Sequence, residues 1–501
     1  MLGRSGLPTW LRGRAHADAT APVVASALVV SMCLAVSAGC TASKPGSEPA
    51  TQGVTRGVGQ ITRLWLTTRN GHLRLADRGP VPTAPQGAAD ADVTVEDQPA
   101  QQFFGVGASL TGSSAEVLNA LAPARREQVM RDVFTRGRGI GLSVLRQPVG
   151  ANDFSVGNRT YDDVDPGASD PGLSHFDLGP DRTEIVPLLQ RAAELNPSLA
   201  VVLSPWSAPP WMKTTGSVVG GTLRPEAMQP YADYLVRAAQ EYLQAGVPVT
   251  GLTAQNEPSY SPPAYPGMVL DVEQQRTLLR DHLRPALDRA GLPLHLWALD
   301  DNFDRWPDAD ALLSDPATRA ATYGVAFHCY HGNVSALQEI RRRHTGVAVA
   351  VSECSGGTWS GGFADDLRYE AKTLLVDAIR SGALWLAKWN LVLDPNGGPQ
   401  NGGCRNCRGL VTVDPSTGAV THSAAYYVWG HVGRFVIPGA RVVRSSSRAR
   451  SGLDSVAFRN RDGSHVLVVY NGGRGQEVTI DTGDRSFSAR IPAGALATVT
   501  W

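Results

Sequence analysis

Two glutamates stand at the ends of apolar, β-prone runs. Val249-Thr250-Gly251-Leu252-Thr253-Ala254 leads into Gln255-Asn256-Glu257-Pro258, and Val347-Ala348-Val349-Ala350-Val351-Ser352 leads into Glu353-Cys354-Ser355. Pro258 cannot donate a ladder hydrogen bond, so the first run is expected to stop there and leave Glu257 at a strand's C-terminal end. α/β barrels place their chemistry at that end of their strands. Two carboxylates so placed can break a glycosidic bond between them. One gives a proton to the leaving oxygen, and the other attacks the anomeric carbon or activates water. Either residue alone could equally cap a helix or pair with an arginine, so the rest of the chain has to decide.

Other strand ends are polar and aromatic in the same way. Arg146-Gln147-Pro148 is followed by Asp153-Phe154-Ser155, and Ser204-Pro205-Trp206 by Pro209-Pro210-Trp211. His328-Cys329-Tyr330-His331 and Trp389-Asn390 close two further runs. Sugars present flat C–H faces that stack on indoles and hydroxyl rims that bind paired polar groups. A single Trp at such a place is more often core, but several strand ends carrying Trp or Tyr beside Arg, Asn, His and Asp favour a saccharide.

These residues need a scaffold that gathers strand ends. Residues 103–108, 141–146, 199–205, 249–255, 294–299, 323–328, 347–352 and 383–389 read as strands, with helical patterns between them at 123–130, 231–243 and 272–290. The alternation predicts parallel strands with crossover helices, and the strand count matches a (β/α)8 TIM barrel over residues 101–430. After residue 431 short strands alternate with glycine-rich turns, which predicts a β-sandwich domain over 431–501. Phe435-Val436-Ile437 is expected to be its first strand. Residues 57–100 are expected to complete that sandwich. There, 61–68 alternates, Asn70-Gly71 signals a hairpin, and Leu73-Arg74-Leu75 is expected to return.

The 501 residues carry 46 basic and 46 acidic side chains, for a net charge of zero. That balance argues against nucleic acid as a partner. No metal cluster or phosphate-cradling loop stands out, so no cofactor is expected; Gly105-Val106-Gly107 lacks the remaining dinucleotide fingerprint and reads as close packing. Arg4, Arg12 and Arg14 precede an uncharged stretch at 21–39 that closes with Ser37-Ala38-Gly39-Cys40. Residues 1–40 therefore read as an export signal with a lipobox, Cys40 receiving lipid; simple secretion and an uncleaved helix are the alternatives. Residues 41–56 read as a flexible tether. The protein is expected outside the cytoplasm, at the membrane only through such an anchor. Cys329, Cys354, Cys404 and Cys407 then form an even set in an oxidising compartment. Cys404-Arg405-Asn406-Cys407 predicts a small loop disulfide, and Cys329 with Cys354, at the ends of adjacent strands, a second bridge beside the site.

Taken in order, Phe104-Gly105-Val106-Gly107-Ala108, Arg146-Gln147-Pro148, Ser204-Pro205-Trp206, Gln255-Asn256-Glu257-Pro258, Ser352-Glu353 and Trp389-Asn390-Leu391 resemble the motifs of glycoside hydrolase family 30, glucosylceramidases included. The resemblance implies a retaining β-glycosidase without a cofactor, acting on a carbohydrate or glycolipid. Glu257 matches the family's acid/base and Glu353 its nucleophile. Asn256 matches the group on the sugar 2-hydroxyl, and Asp153, Trp206 and Trp389 match positions that hold the glycone. Arg146 and Tyr330 match groups bonded to the nucleophile, with His328 beside them. A β-glucoside such as glucosylceramide is the expected substrate; β-1,6-glucan, xylan or another β-glycoside is the alternative, and a non-catalytic glycan-binding lipoprotein a third. Cys329 stands where the mammalian glucosylceramidases have Trp, Asp394 replaces an Asn, and the Cys404 loop is distinct.

Overall fold

The computed structural model describes residues 62–84 and 91–501. The expected export signal, Cys40 and the expected tether lie outside the described residues. Among the described residues no helix is long and apolar enough to cross a membrane.

Eight parallel strands close a barrel. They are β4 (Gly105–Ser109), β5 (Val144–Val149), β6 (Ala200–Pro205), β7 (Val249–Thr253), β8 (His295–Asn302), β9 (Gly324–His328), β10 (Ala348–Glu353) and β11 (Ala383–Lys388). Strands covered on both faces need continuous apolar runs, and every residue of β5, β6, β7 and β9 is buried. β5 begins at Val144, three residues later than expected, and runs through Pro148. The missing N–H does no harm there, because β4 stops pairing at Ser109–Arg146 while β6 continues beside β5 to Val149–Pro205. β7 ends at Thr253, before the expected stop at Pro258.

The crossover helices bury one stripe each. Met228–Gln244 turns Tyr231, Leu235, Ala238 and Tyr242 inward, at helical spacing. The pattern at 272–290 is helical but not uniform: Val272–Thr277 passes through a π segment, Leu278–Leu283, into Arg284–Arg289. Asp271 opens it with a capping box to Gln274, and the widened turn lies just before Pro285, which has no N–H to give.

The second domain is one continuous nine-stranded sheet folded over its own core. β1 (Arg63–Thr67), β2 (Ala76–Pro80) and β3 (Val93–Phe103) join β12 (Ala440–Ser447), β13 (Leu453–Arg459), β14 (His465–Asn471), β15 (Gln476–Asp481), β16 (Ser486–Ile491) and β17 (Leu496–Thr500), in the order β2-β1-β17-β14-β13-β12-β3-β15-β16. Val478, Ile480 and Phe487 from one end of the order share a core with Leu64, Leu467, Val499 and Trp501 from the other. Two expected strands are absent. Leu73-Arg74-Leu75 is loop, with the hairpin's return delayed to Ala76, because the Thr67 and Thr68 hydroxyls take the backbone N–H groups of Leu75 and Leu73. Phe435-Val436-Ile437 is a turn that continues the preceding helix, the Phe435 and Val436 N–H groups donating to Val432 O.

That helix, Ala424–Gly433, joins the domains. Trp429 Nε1 donates to Gly107 O of β4 at 2.8 Å. His431 lies between Thr67 Oγ1 of β1 at 2.9 Å and Thr498 Oγ1 of β17 at 2.8 Å.

Candidate active site

Glu353 is the last residue of β10 and is 5% exposed. Arg146, pointing in from β5, donates through Nη1 to Glu353 Oε2 at 2.5 Å. The Tyr330 hydroxyl donates to Glu353 Oε1 at 2.8 Å. Glu257 comes from the loop after β7. Its φ is +44°, a left-handed conformation uncommon outside glycine, and its N–H donates to Asp300 O at 2.9 Å. One carboxylate oxygen of Glu257, one of Glu353 and a ring nitrogen of His328 all lie within 4.8 Å of one another.

Beneath this pair lies a buried charge network. Arg146 Nη2 reaches Asp300 Oδ2 at 2.8 Å, Asn256 Oδ1 at 2.7 Å and Ser204 Oγ at 3.0 Å. His328, the last residue of β9, holds Glu257 Oε1 at 3.2 Å through Nδ1 and Asp300 Oδ1 at 3.1 Å through Nε2. Ser352 Oγ adds a bond to Asp300 Oδ1 at 2.6 Å. Burial works against a charged imidazole, but Glu353, Asp300 and Glu257 outweigh it and hold the His328 pKa up at about 10. Burial works against the Asp300 anion too, yet Arg146 and His328 keep its carboxyl well below the ordinary range. At Glu353 burial pushes the pKa up and Glu257 adds to the push; His328, Arg146 and the Tyr330 hydroxyl act the other way. Glu257, His328 and Glu353 have the spacing of a metal site. His328 Nδ1, the ring nitrogen on the side of the glutamates, contacts Glu257 Oε1 at 3.2 Å.

A cleft of about 470 Å³ opens above the two glutamates. Asp153, Trp206, Asn256, Glu257, Tyr330, Glu353 and Trp389 all line it, as do Cys404 and Cys407. Arg146 and His328 do not line it; both are fully buried below. Trp206 and Trp389 stack at 4.9 Å between ring centroids, and the Arg146 guanidinium carbon lies 4.6 Å from the Trp206 ring. Asp153 Oδ1 is buried with no hydrogen-bond partner. Burial first, then Glu353 and Glu257, push the Asp153 carboxyl well above the usual range. Disulfides join Cys329 to Cys354 and Cys404 to Cys407.

Asp300 was not expected from the sequence. It sits in a bulge of β8, where Leu299 and Asp300 have φ of +69° and +59° and the pairing to β9 slips. The bulge turns Asp300 into the barrel. The polar run Asp300-Asp301-Asn302 after an apolar strand resembles the other polar strand ends and could have drawn notice. The exposed rim aromatics Tyr260 and Trp359 were also missed.

Comparison with known proteins agrees with this geometry. The family model "Glycosyl hydrolase family 30 TIM-barrel domain" matches residues 103–436, and "Glycosyl hydrolase family 30 beta sandwich domain" matches 439–499. The chain is 31% identical over 398 residues to endo-1,6-β-D-glucanase neg1 of Aspergillus fumigatus, covering 74% of this chain and 78% of that one. It is 29% identical over 434 residues to the lysosomal acid glucosylceramidase of Mus musculus, covering 80% and 81%. The solved structure of the endo-β1,6-glucanase BT3312 superposes with a TM-score of 0.82 at 26% identity, over 88% of this chain and 99% of that one.

Proposed function

The chain belongs to glycosyl hydrolase family 30 and is a glycosidase, and from that premise we propose that it cleaves β-glucosidic bonds with retention, Glu353 as nucleophile and Glu257 as acid/base. The observation that carries this is the separation of the carboxylates, whose oxygens approach within 4.8 Å. Retaining enzymes hold the pair about 5–5.5 Å apart, whereas inverting enzymes need about 6.5–9.5 Å to admit a water.

Arg146 and the Tyr330 hydroxyl hold the Glu353 carboxylate in place for attack, and Glu257, held by His328, faces it as the proton donor. Glu353 attacks the anomeric carbon while Glu257 protonates the leaving oxygen. Once Glu353 is esterified its charge is gone. Glu257 then takes a proton from the incoming water, which cleaves the glycosyl ester. Asn256, fixed by Arg146, faces the sugar 2-hydroxyl; Asp153, with its unpartnered oxygen, and the stacked Trp206 and Trp389 hold the glycone. Glu353→Gln is expected to abolish turnover of an aryl β-glucoside. Glu257→Gln is expected to slow poor leaving groups by about 10²–10⁴ while sparing activated ones. Anomeric NMR of the first product tests the stereochemistry: α product from a β-glycoside excludes this mechanism.

For the substrate we propose a β-1,6-linked glucan, with glucosylceramide as the second reading. The cleft rim supports this choice. Trp359 and Tyr260 are exposed aromatic surfaces, and Asn302, Asp304, Arg305 and His331 surround them with polar groups. Such a rim suits further sugar rings better than acyl chains. The β-1,6-glucanase relatives agree. Hydrolysis rates on β-1,6-gluco-oligosaccharides, xylo-oligosaccharides and glucosylceramide decide among them; glucosylceramide turned over fastest would reverse the choice. We further propose export and anchoring through Cys40, supported by the signal read in residues 1–40 and by two disulfides of a kind stable outside the cytoplasm. Incorporation of labelled fatty acid that Cys40→Ser does not prevent would exclude the anchor.

A further inference from the structure

The Cys329–Cys354 bridge lies at the chemical centre of the fold. Its half-cystines each follow the last residue of a barrel strand: Cys329 follows His328, and Cys354 follows Glu353. His328 and Glu353 are the final pair of the β9–β10 ladder, reached after a slip in register between Val351 and Glu353. The covalent link therefore begins where backbone pairing ends. Beyond it the chains carry Tyr330 and Ser355. The Tyr330 hydroxyl contacts Glu353 Oε1 at 2.8 Å and Ser355 Oγ at 3.1 Å. Tyr330 is 37% exposed; one side chain, Asn302, holds its backbone N–H, with Oδ1 at 3.0 Å. Cys354 O also accepts from the Trp389 N–H at 3.1 Å, so the same link reaches the indole pair.

We propose that the Cys329–Cys354 disulfide is a positioning element of the active site, holding the Tyr330 hydroxyl on Glu353 Oε1 and so fixing the direction in which that carboxylate attacks. This rests on Glu353 acting as the nucleophile. A disulfide also stabilises any fold by constraining the unfolded chain, and that role alone predicts lower stability with unaltered chemistry. Positioning predicts something different. A dithiol reductant converts the bridge to two thiols, its own sulfurs closing to a disulfide, with two electrons and two protons passing to the protein. The sulfurs then separate from about 2 Å to van der Waals distance. A displacement of about 1 Å at reacting groups is enough to cost about 10²-fold in rate.

The test is a double-mutant cycle in the oxidised, purified enzyme carrying Cys404→Ser and Cys407→Ser, to which every rate is referred. Cys329→Ser/Cys354→Ser and Tyr330→Phe are made singly and together, and kcat and KM are measured on an aryl β-glucoside. Each alone is expected to lower kcat about 10–100-fold with KM moving less than about threefold, and the combination to be no slower than the worse of the two. Losses that multiply, or kcat unchanged once the bridge is open, overturn the proposal. Should the cysteine variants not fold, reduction of the folded enzyme, with thiols counted, gives the same cycle with and without Tyr330→Phe. Activity surviving in Glu353→Gln would refute the underlying mechanism; an inactive Glu353→Gln with multiplying losses would refute the brace alone.

Discussion

Asp300 and Glu353 both bind Arg146, and Asp300 also takes the ring nitrogen of His328 that points away from Glu257. One side chain thus orients the two cations that touch the glutamates. Asp300 is fully buried, as are Arg146 and His328. Removing one member of a buried pair costs about 3–5 kcal/mol, because the partner charge is left uncompensated. Asp300→Ala is therefore expected to lower stability by about that amount, read from chemical denaturation. Asp300→Asn keeps the shape and one acceptor, so it is expected to fold. It should still lower kcat, because Arg146 then has Glu353 as its one anionic partner and is drawn toward it. An Asp300→Asn enzyme with wild-type kcat would show that Arg146 needs no second anchor.

At the scale of elements, the barrel was legible because strands buried on both faces must be apolar, and runs such as 347–352 hardly read otherwise. The positions at the strand ends were legible for the same reason: Glu353, His328 and Trp389 are polar or aromatic punctuation after such runs. Irregular backbone was not. The bulge carrying Asp300 leaves no mark in apolar spacing, and the Thr67 and Thr68 hydroxyls that delay the hairpin look like ordinary strand residues. β3 was hidden by its composition, since Glu96, Asp97, Gln98 and Pro99 break any alternation. The glycines of β4 were read as close packing, and the structure gives the reason. A Cβ on Gly107 would lie 2.0 Å from Val144 O, and one on Gly105 would lie 1.8 Å from Ser143 Oγ. Gly107→Ala must force β4 from β5, which carries Arg146, so it is expected to destabilise by about 3 kcal/mol, the upper end for overpacking. Gly172→Ala is the control, since its Cβ would meet only Asp170 Oδ1 at 4.0 Å. Equal melting temperatures for the two variants would remove this account of the β4–β5 contact.

For the whole molecule, two buried histidines tie stability to pH with opposite signs. His431 bridges the helix Ala424–Gly433 to β1 and β17, and burial holds its pKa down at about 3, against an ordinary 6.5. Between those values the unfolded chain binds the proton and the folded one does not, so stability rises with pH across the window and is lost as pH falls below about 6.5. His328 behaves in reverse. Burial opposes its charge, but Glu353, Asp300 and Glu257 raise its pKa to about 10, so its contribution is complete below 6.5 and is lost as pH rises through about 10. Asp162 and Asp181, both pushed up to about 6 chiefly by burial, bend the acid side the other way. The informative quantity is therefore the wild-type melting temperature minus that of a variant. Against His431→Gln this difference should rise from pH 4 to 6.5. Against His328→Gln it should fall from pH 7 to 10. A flat difference for His431 would mean that the contact between the domains does not depend on a neutral imidazole; a flat one for His328 would mean that the imidazolium is not what holds the two glutamates and Asp300 together.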